Sequence, residues 1–166
     1  MNRHYTKKQY MDWVDKIKEK IPDVALTTDI IVGFPGETEE DFADSMSAIR
    51  ELRFDMVHSA AYSEREGTPA AIMEGALPVE LRLERLTKLN ELQDSITLAI
   101  NQELTGKTFN ILVDGPAPKG EKLLQGRTPS DKVVIFEGSK NLLGQFVDVR
   151  ITQAEAWCLH GELVAN

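Results

Sequence analysis

The sequence predicts an α/β unit followed by a small all-β unit, and three observations carry that division. The stretch "TTDIIVGFPGETEED" at 27–41 is a β-branched apolar run that ends in glycines and a proline and then opens a capped helix; this is one strand–turn–helix step. A long leucine-rich periodic stretch fills 78–103. From Leu104 the texture changes to short β-rich runs separated by turn residues, the spacing of a small antiparallel barrel. Charge follows the same boundary. Residues 1–103 hold 12 Lys and Arg against 20 Asp and Glu, and residues 104–166 hold seven of each. The expected domains are 1–103 and 104–164.

Each element has a local reason. Thr6 and Gln9 have capping-box spacing for a first helix, with Tyr10, Trp13, Val14, Ile17 and Ile21 on one face and Pro22 as its stop. Ile30, Ile31 and Val32 do not alternate with polar residues, as in a parallel strand covered on both faces. Gly33, Pro35 and Gly36 supply the turn. Thr38 and Asp41 cap a helix from about Glu39 to Arg53, with Phe42, Met46 and Ile49 at helical spacing. "FDMVHSAAYS" at 54–63 predicts a second strand, and "EREGTPAA" at 64–71 a loop. Two parallel strands cannot bury themselves, so this first part reads as a piece of a larger sheet or barrel. Pro78 opens the long helix, striped by Leu83, Leu86, Leu89, Leu92, Ile96 and Ile100; that stripe is read as packing. "TFNILVDG", "KLLQGRT", "KVVIFEG", "QFVDVRITQAEAWCL" and "GELVA" supply the barrel strands.

Composition narrows the function classes. The 166 residues carry a net charge of −8, which speaks against a simple non-specific nucleic-acid binder. No apolar run approaches bilayer length, and "MNRHYTKKQY" lacks a signal-peptide apolar region. Cys158 is the single cysteine. It cannot close an internal disulfide, and alone it builds no metal or iron–sulfur site. No metal ligand is therefore assigned, and a reducing cytoplasm is the expected location.

The series "MNRHYT", "TTDIIVGFPGETEEDF", "FDMVHSAAYSEREGTPAA", a long Leu-rich helix and "LQGRTPSDKVVIFEGSKNLLGQFVDVRIT" resembles the carboxyl-terminal half of the radical-SAM methylthiotransferases. The tail "GRT…VVIFEG…GQFVDVRIT" is similar to the branch that acts on tRNA rather than on a ribosomal protein. The resemblance implies the last strands and helices of a radical-SAM partial (β/α) barrel at 1–103, followed by a TRAM domain, a small RNA-binding β-barrel, at 104–164. It implies an enzyme that adds a methylthio group to carbon 2 of N(6)-isopentenyladenosine next to the tRNA anticodon. The cofactors implied are S-adenosylmethionine and two 4Fe–4S clusters; the partners implied are tRNA and the enzyme's amino-terminal half, with no membrane. The family's CxxxCxxC triad is absent from this chain, so the chain alone is expected to be inactive, to bind no cofactor by itself and to contain no catalytic residue. The alternatives are a methylthiotransferase acting on threonylcarbamoyl-adenosine or on a ribosomal protein and, in another class, a stand-alone RNA-binding TRAM module.

Candidate residues follow from placement and resemblance together. Asp29, Ile31, Gly33, Phe34 and Arg65 form the expected S-adenosylmethionine neighbourhood, at the ends of the two strands. The superfamily's Gly-x-Ile-x-Gly-x-x-Glu pattern is partly kept: Ile31 and Gly33 match, Asp29 replaces the first glycine, and the acid falls one place late, at Glu37. Arg65 has the planar fork that clamps a carboxylate or phosphate. Glu37 is read as complementing a helix dipole, and His58 as a core or ligand-facing packing residue rather than a base. For RNA, the candidates are Lys107, Arg127, Thr128 and Lys132, with Lys119, Lys122 and Lys140 on a shared basic face. Phe109, Phe136 and Phe146 are candidates for base stacking, against the ordinary reading of alternate-position aromatics as core.

Overall fold

In a computed structural model, residues 4–120 and 122–164 are described, so "MNR" of the first quoted motif lies outside the described residues. The chain forms two compact units, Met1–Ile96 and Thr97–Asn166, and the division falls within the long helix α3, Val79–Gln102.

The first unit begins with α1, Lys7–Lys20. The Thr6 side chain accepts from the Gln9 amide and Gln9 returns the bond, which completes the capping box. Only Val14 of its apolar stripe is buried, while Trp13, Ile17 and Ile21 stay exposed. The strand β1, Thr27–Val32, pairs in parallel with β2, Met56–Ala61, from Thr27 opposite Met56 to Val32 opposite Ala61. Between them runs α2, Glu39–Leu52, capped by Thr38 with Asp41, which buries Phe42, Met46, Ile49 and Leu52. A short 3₁₀ turn, Pro69–Ile72, lies within the expected loop.

The uninterrupted apolar run of β1 does not mean cover on both faces. Thr28, Ile30 and Val32 are more buried than Thr27, Asp29 and Ile31, in strict alternation. Contacts to helices lie on the more buried face: the Tyr10 hydroxyl meets Thr28 Oγ1 at 3.0 Å, and Ser59, opposite Ile30, meets Asn90. The other face, with Asp29, Ile31, His58 and Ala60, is exposed. His58 is thus not in the core; it stands beside Asp29 on the open face.

The second unit is a closed barrel of five strands in the order β3-β4-β5-β7-β6. These are β3 (Thr108–Pro116), β4 (Leu123–Arg127), β5 (Val133–Glu137), β6 (Phe146–Ala154) and β7 (Leu159–Leu163). Alternate residues point inward and build a core of Ile111, Val113, Leu124, Val134, Phe136, Val149, Ile151 and Leu159. All neighbours are antiparallel except β5 and β7, which run parallel. A ring of five strands cannot alternate direction all the way round, so the expected antiparallel barrel closes through a parallel seam. The run at 145–159 is not one strand: it breaks after Ala154 and resumes at Leu159.

Candidate functional site

In the first unit, β1 ends at the turn Gly33–Gly36. Gly33 has φ +75°, and a Cβ there would lie 2.3 Å from Arg82 Cγ, so only glycine meets both the left-handed backbone and the close approach. The Gly33 amide donates to Glu37 Oε1 at 2.9 Å. The Tyr62 amide donates to the Val32 carbonyl at 2.8 Å, which carries the parallel pairing one step past the strands. The Phe34 and Tyr62 rings meet edge to face at 5.3 Å.

Ile31, Phe34, Ala60, Ala61, Tyr62, Ser63, Arg65, Thr68 and Ala70 line a cleft of about 310 Å³. Three of the sequence candidates, Ile31, Phe34 and Arg65, share this cleft. Asp29 stands on the same open face, exposed, two residues before Ile31. Gly33 is buried and shapes the turn. The Tyr62 hydroxyl is buried with no hydrogen-bond partner among the described residues, and the Arg65 residue is exposed.

Two arginines of α3 hold this site, and the sequence reading missed both. Arg82 donates to the Tyr62 carbonyl at 2.8 Å. Arg85 is 3 % exposed, donates to Glu37 Oε1 at 2.6 Å and to Glu39, and lies 5.2 Å over the Phe42 ring. Burial alone would lower the Arg85 pKa; the hydrogen bonds and charges of Glu39 and Glu37 outweigh it and hold it raised. Glu37 therefore does more than complement a dipole. It joins the turn amide to a buried guanidinium. Arg82 and Arg85 stand three apart, with Arg85 one turn before the buried Leu89, and that spacing was the available signal; it was hidden because long helices ordinarily carry arginine on the solvent side.

In the second unit, "GRT" separates into three roles. A Cβ on Gly126 would lie 2.4 Å from the Leu112 carbonyl oxygen, so this glycine permits close backbone approach. Thr128 is 5 % exposed; its hydroxyl accepts from the Lys132 amide and meets Ser130, which fixes the β4–β5 turn. Arg127 is exposed, donates to Asp131 Oδ1 at 2.9 Å and lies 3.6 Å from Asp114. The candidate cations do not share one end of the barrel. Lys119 and Lys122 lie in the β3–β4 loop, and the Gly138 amide donates to the Lys122 carbonyl, near Lys140. Arg127 and Lys132 flank the turn at the other end of β4, and Lys107 precedes β3.

The structure also sorts the three phenylalanines. Phe136 is core, Phe109 packs against that core, and Phe146 is 68 % exposed. Phe146 pairs with Leu112 and Leu112 pairs with Arg127. All three point outward, so an aromatic, an aliphatic and a cationic side chain form one row across β6, β3 and β4.

The radical SAM superfamily profile matches residues 1–49, and the TRAM domain profile matches residues 102–164. Proteins named tRNA-2-methylthio-N(6)-dimethylallyladenosine synthase are similar over 99% of the chain: 49% identical in Acetivibrio thermocellus and in Geobacillus kaustophilus, and 48% in Bacillus cereus. The chain spans about a third of the length of these relatives, from 31% to 34%. A radical SAM superfamily match is thus followed by a TRAM domain match, and with this identity throughout the chain is similar to one part, about a third, of such a synthase.

Proposed function

We propose that this chain is the part of a tRNA methylthiotransferase that walls one side of an S-adenosylmethionine pocket and grips the RNA. The whole enzyme would add a methylthio group to carbon 2 of N(6)-isopentenyladenosine next to the anticodon. The observation that carries this reading is identity of 48–49% along 99% of the chain, across both units, to proteins bearing that synthase name. A stand-alone RNA module would not need the first unit to keep that identity.

The open face supports the cofactor assignment. Ile31, Ala60 and Phe34 make an apolar slot suited to a flat heterocycle, and Arg65 offers a guanidinium to its carboxylate. When bound, S-adenosylmethionine supplies the radical chemistry of the superfamily. In this reading, Glu37, Arg82 and Arg85 hold the turn that positions Phe34, and Asp29 and His58 border the slot. The one cysteine does not fit an iron–sulfur cluster, which takes several thiolates.

For RNA, the Phe146–Leu112–Arg127 row offers a stacking platform beside a cation. Lys107 and Lys132 add charge from other positions, and Thr128 acts by shaping the turn. The test is a chimaera in which this chain replaces the matching third of the Bacillus cereus relative, expressed in a bacterium lacking its own enzyme. Mass spectrometry of tRNA nucleosides is expected to show the methylthio group restored. A folded, RNA-binding chimaera that leaves isopentenyladenosine unmodified overturns the proposal.

A further inference from the structure

The connection from β6 to β7 is a tight hairpin. Ala154 pairs with Leu159, and the Glu155 amide donates to the Cys158 carbonyl at 2.9 Å, leaving Ala156 and Trp157 at the tip. Such a loop sets Glu155 and Cys158 across from one another. The period of two along a strand puts His160 on the same face as Cys158. The side chains converge accordingly. His160 Nε2 lies 3.2 Å from Glu155 Oε1 and 3.8 Å from Cys158 Sγ, and Cys158 Sγ lies 3.7 Å from Glu155 Oε2. One ligand atom from each residue falls within 4.8 Å of the other two. The turn is anchored from below: Asn101, 3 % exposed, donates to the Glu155 carbonyl at 2.8 Å and to the Ala156 carbonyl at 3.2 Å. Cys158 and His160 are half-buried and Glu155 is exposed, so the cluster has both a fixed base and an entry path.

We propose that Glu155, Cys158 and His160 bind one divalent cation of zinc's class in a three-ligand site whose fourth position is open. Carboxylate, thiolate and imidazole together are a zinc-class donor set, whereas calcium and magnesium select oxygen. Zinc bonds of about 2.0–2.3 Å at tetrahedral angles put neighbouring ligand atoms roughly 3.4–3.6 Å apart. The separations above run to both carboxylate oxygens and lie on either side of that span, and one atom from each residue falls within 4.8 Å of the other two, so side-chain rotation is what closes the site. As hydrogen bonds, the two sulfur contacts are long and weak. Binding replaces them with coordinate bonds, and the thiol proton passes to solvent. The bound ion ties the end of β6 to the start of β7. The sequence reading assigned no metal ligand because it counted cysteines; the site needs one cysteine and two residues that the hairpin brings to it.

The test uses the whole chain without an affinity tag, stripped by chelation and titrated with Co²⁺ and then Zn²⁺. Cys158 is the only cysteine, so thiolate-to-cobalt charge-transfer absorbance reports this site alone. One saturable equivalent per chain, displaced by Zn²⁺, is the expected result. Cys158→Ser removes the absorbance band. His160→Gln and Glu155→Gln each weaken Zn²⁺ binding on the order of tenfold or more, since a direct ligand contributes at least what a supporting partner does. If Cys158→Ser fails to fold by circular dichroism, the two remaining variants carry the test. No cobalt–thiolate band in excess Co²⁺, unchanged Zn²⁺ affinity in the variants, or one ion per two chains overturns the proposal.

Discussion

Arg85 donates to Glu37 Oε1 at 2.6 Å and to the Glu37 carbonyl at 3.2 Å, across 48 positions of sequence. The pair joins α3 to the turn that follows β1. Glu37 in turn holds the Gly33 amide, so one carboxylate fixes both the turn and the helix that covers it. Breaking a buried pair from one side leaves a charge uncompensated. Arg85→Met is expected to destabilise the first unit by roughly 3–5 kcal/mol, read from chemical denaturation. Arg85→Met combined with Glu37→Gln should recover part of that loss; a double variant no better than Arg85→Met alone would mean that the pair carries no such penalty.

Gly33→Ala tests the turn itself. The new methyl group meets Arg82 Cγ and must hold φ near +75°. The expected cost is about 1–3 kcal/mol, with weaker hydrogen-exchange protection at Tyr62, whose amide pairs with Val32. Unchanged protection would show that Arg82 yields freely.

The outward row of the barrel predicts two separable effects on RNA. Phe146→Ala should weaken binding to a tRNA anticodon stem-loop by about 1–3 kcal/mol through lost stacking, with little change in salt dependence. Arg127→Ala should instead flatten the salt dependence by roughly one phosphate's worth. Both side chains are solvent-exposed, so melting temperatures should barely move. Identical affinity for all three proteins at low salt would remove the row from the RNA surface.

Protection should differ between the strands of the two units. β1 and β2 form a two-stranded sheet with one open face, whereas every barrel strand has two neighbours. Amide exchange is expected to be faster at 28–33 and 54–62 than at 133–136 and 146–151. Equal rates would indicate that a second molecule covers the open face.

The cap of α2 gives a pH dependence. The backbone bond and then the side-chain bond from Thr38 hold the Asp41 carboxyl below its ordinary range. A depressed carboxylate stabilises the fold above the unfolded value and loses that contribution as pH falls through the folded one. Fraying of the first turn of α2 is therefore expected below about pH 4, visible as faster relaxation or shifted resonances at Glu39–Phe42. Asp41→Asn should flatten this titration, and a titration of equal size in the variant would assign it to another group.

Some of this protein was determined by the sequence alone. Capping boxes at Thr6 and Thr38, the β-branched run into Gly33 and the alternating barrel strands act over neighbours in the chain, and each appears where local chemistry puts it. The resemblance carried by "DIIVGFPGETEEDF" and the barrel tail pointed to the radical-SAM methylthiotransferases. Tertiary structure decided the rest, because pairing across long separations has no local signature. It left one face of β1 open although its residues read as covered, turned Arg85 inward onto Glu37, and placed Phe146 outside while Phe136 went to the core. It closed the barrel through a parallel seam, which an odd number of strands requires. It also brought His160 and Glu155 to Cys158, since a hairpin's register, not its composition, sets which side chains meet.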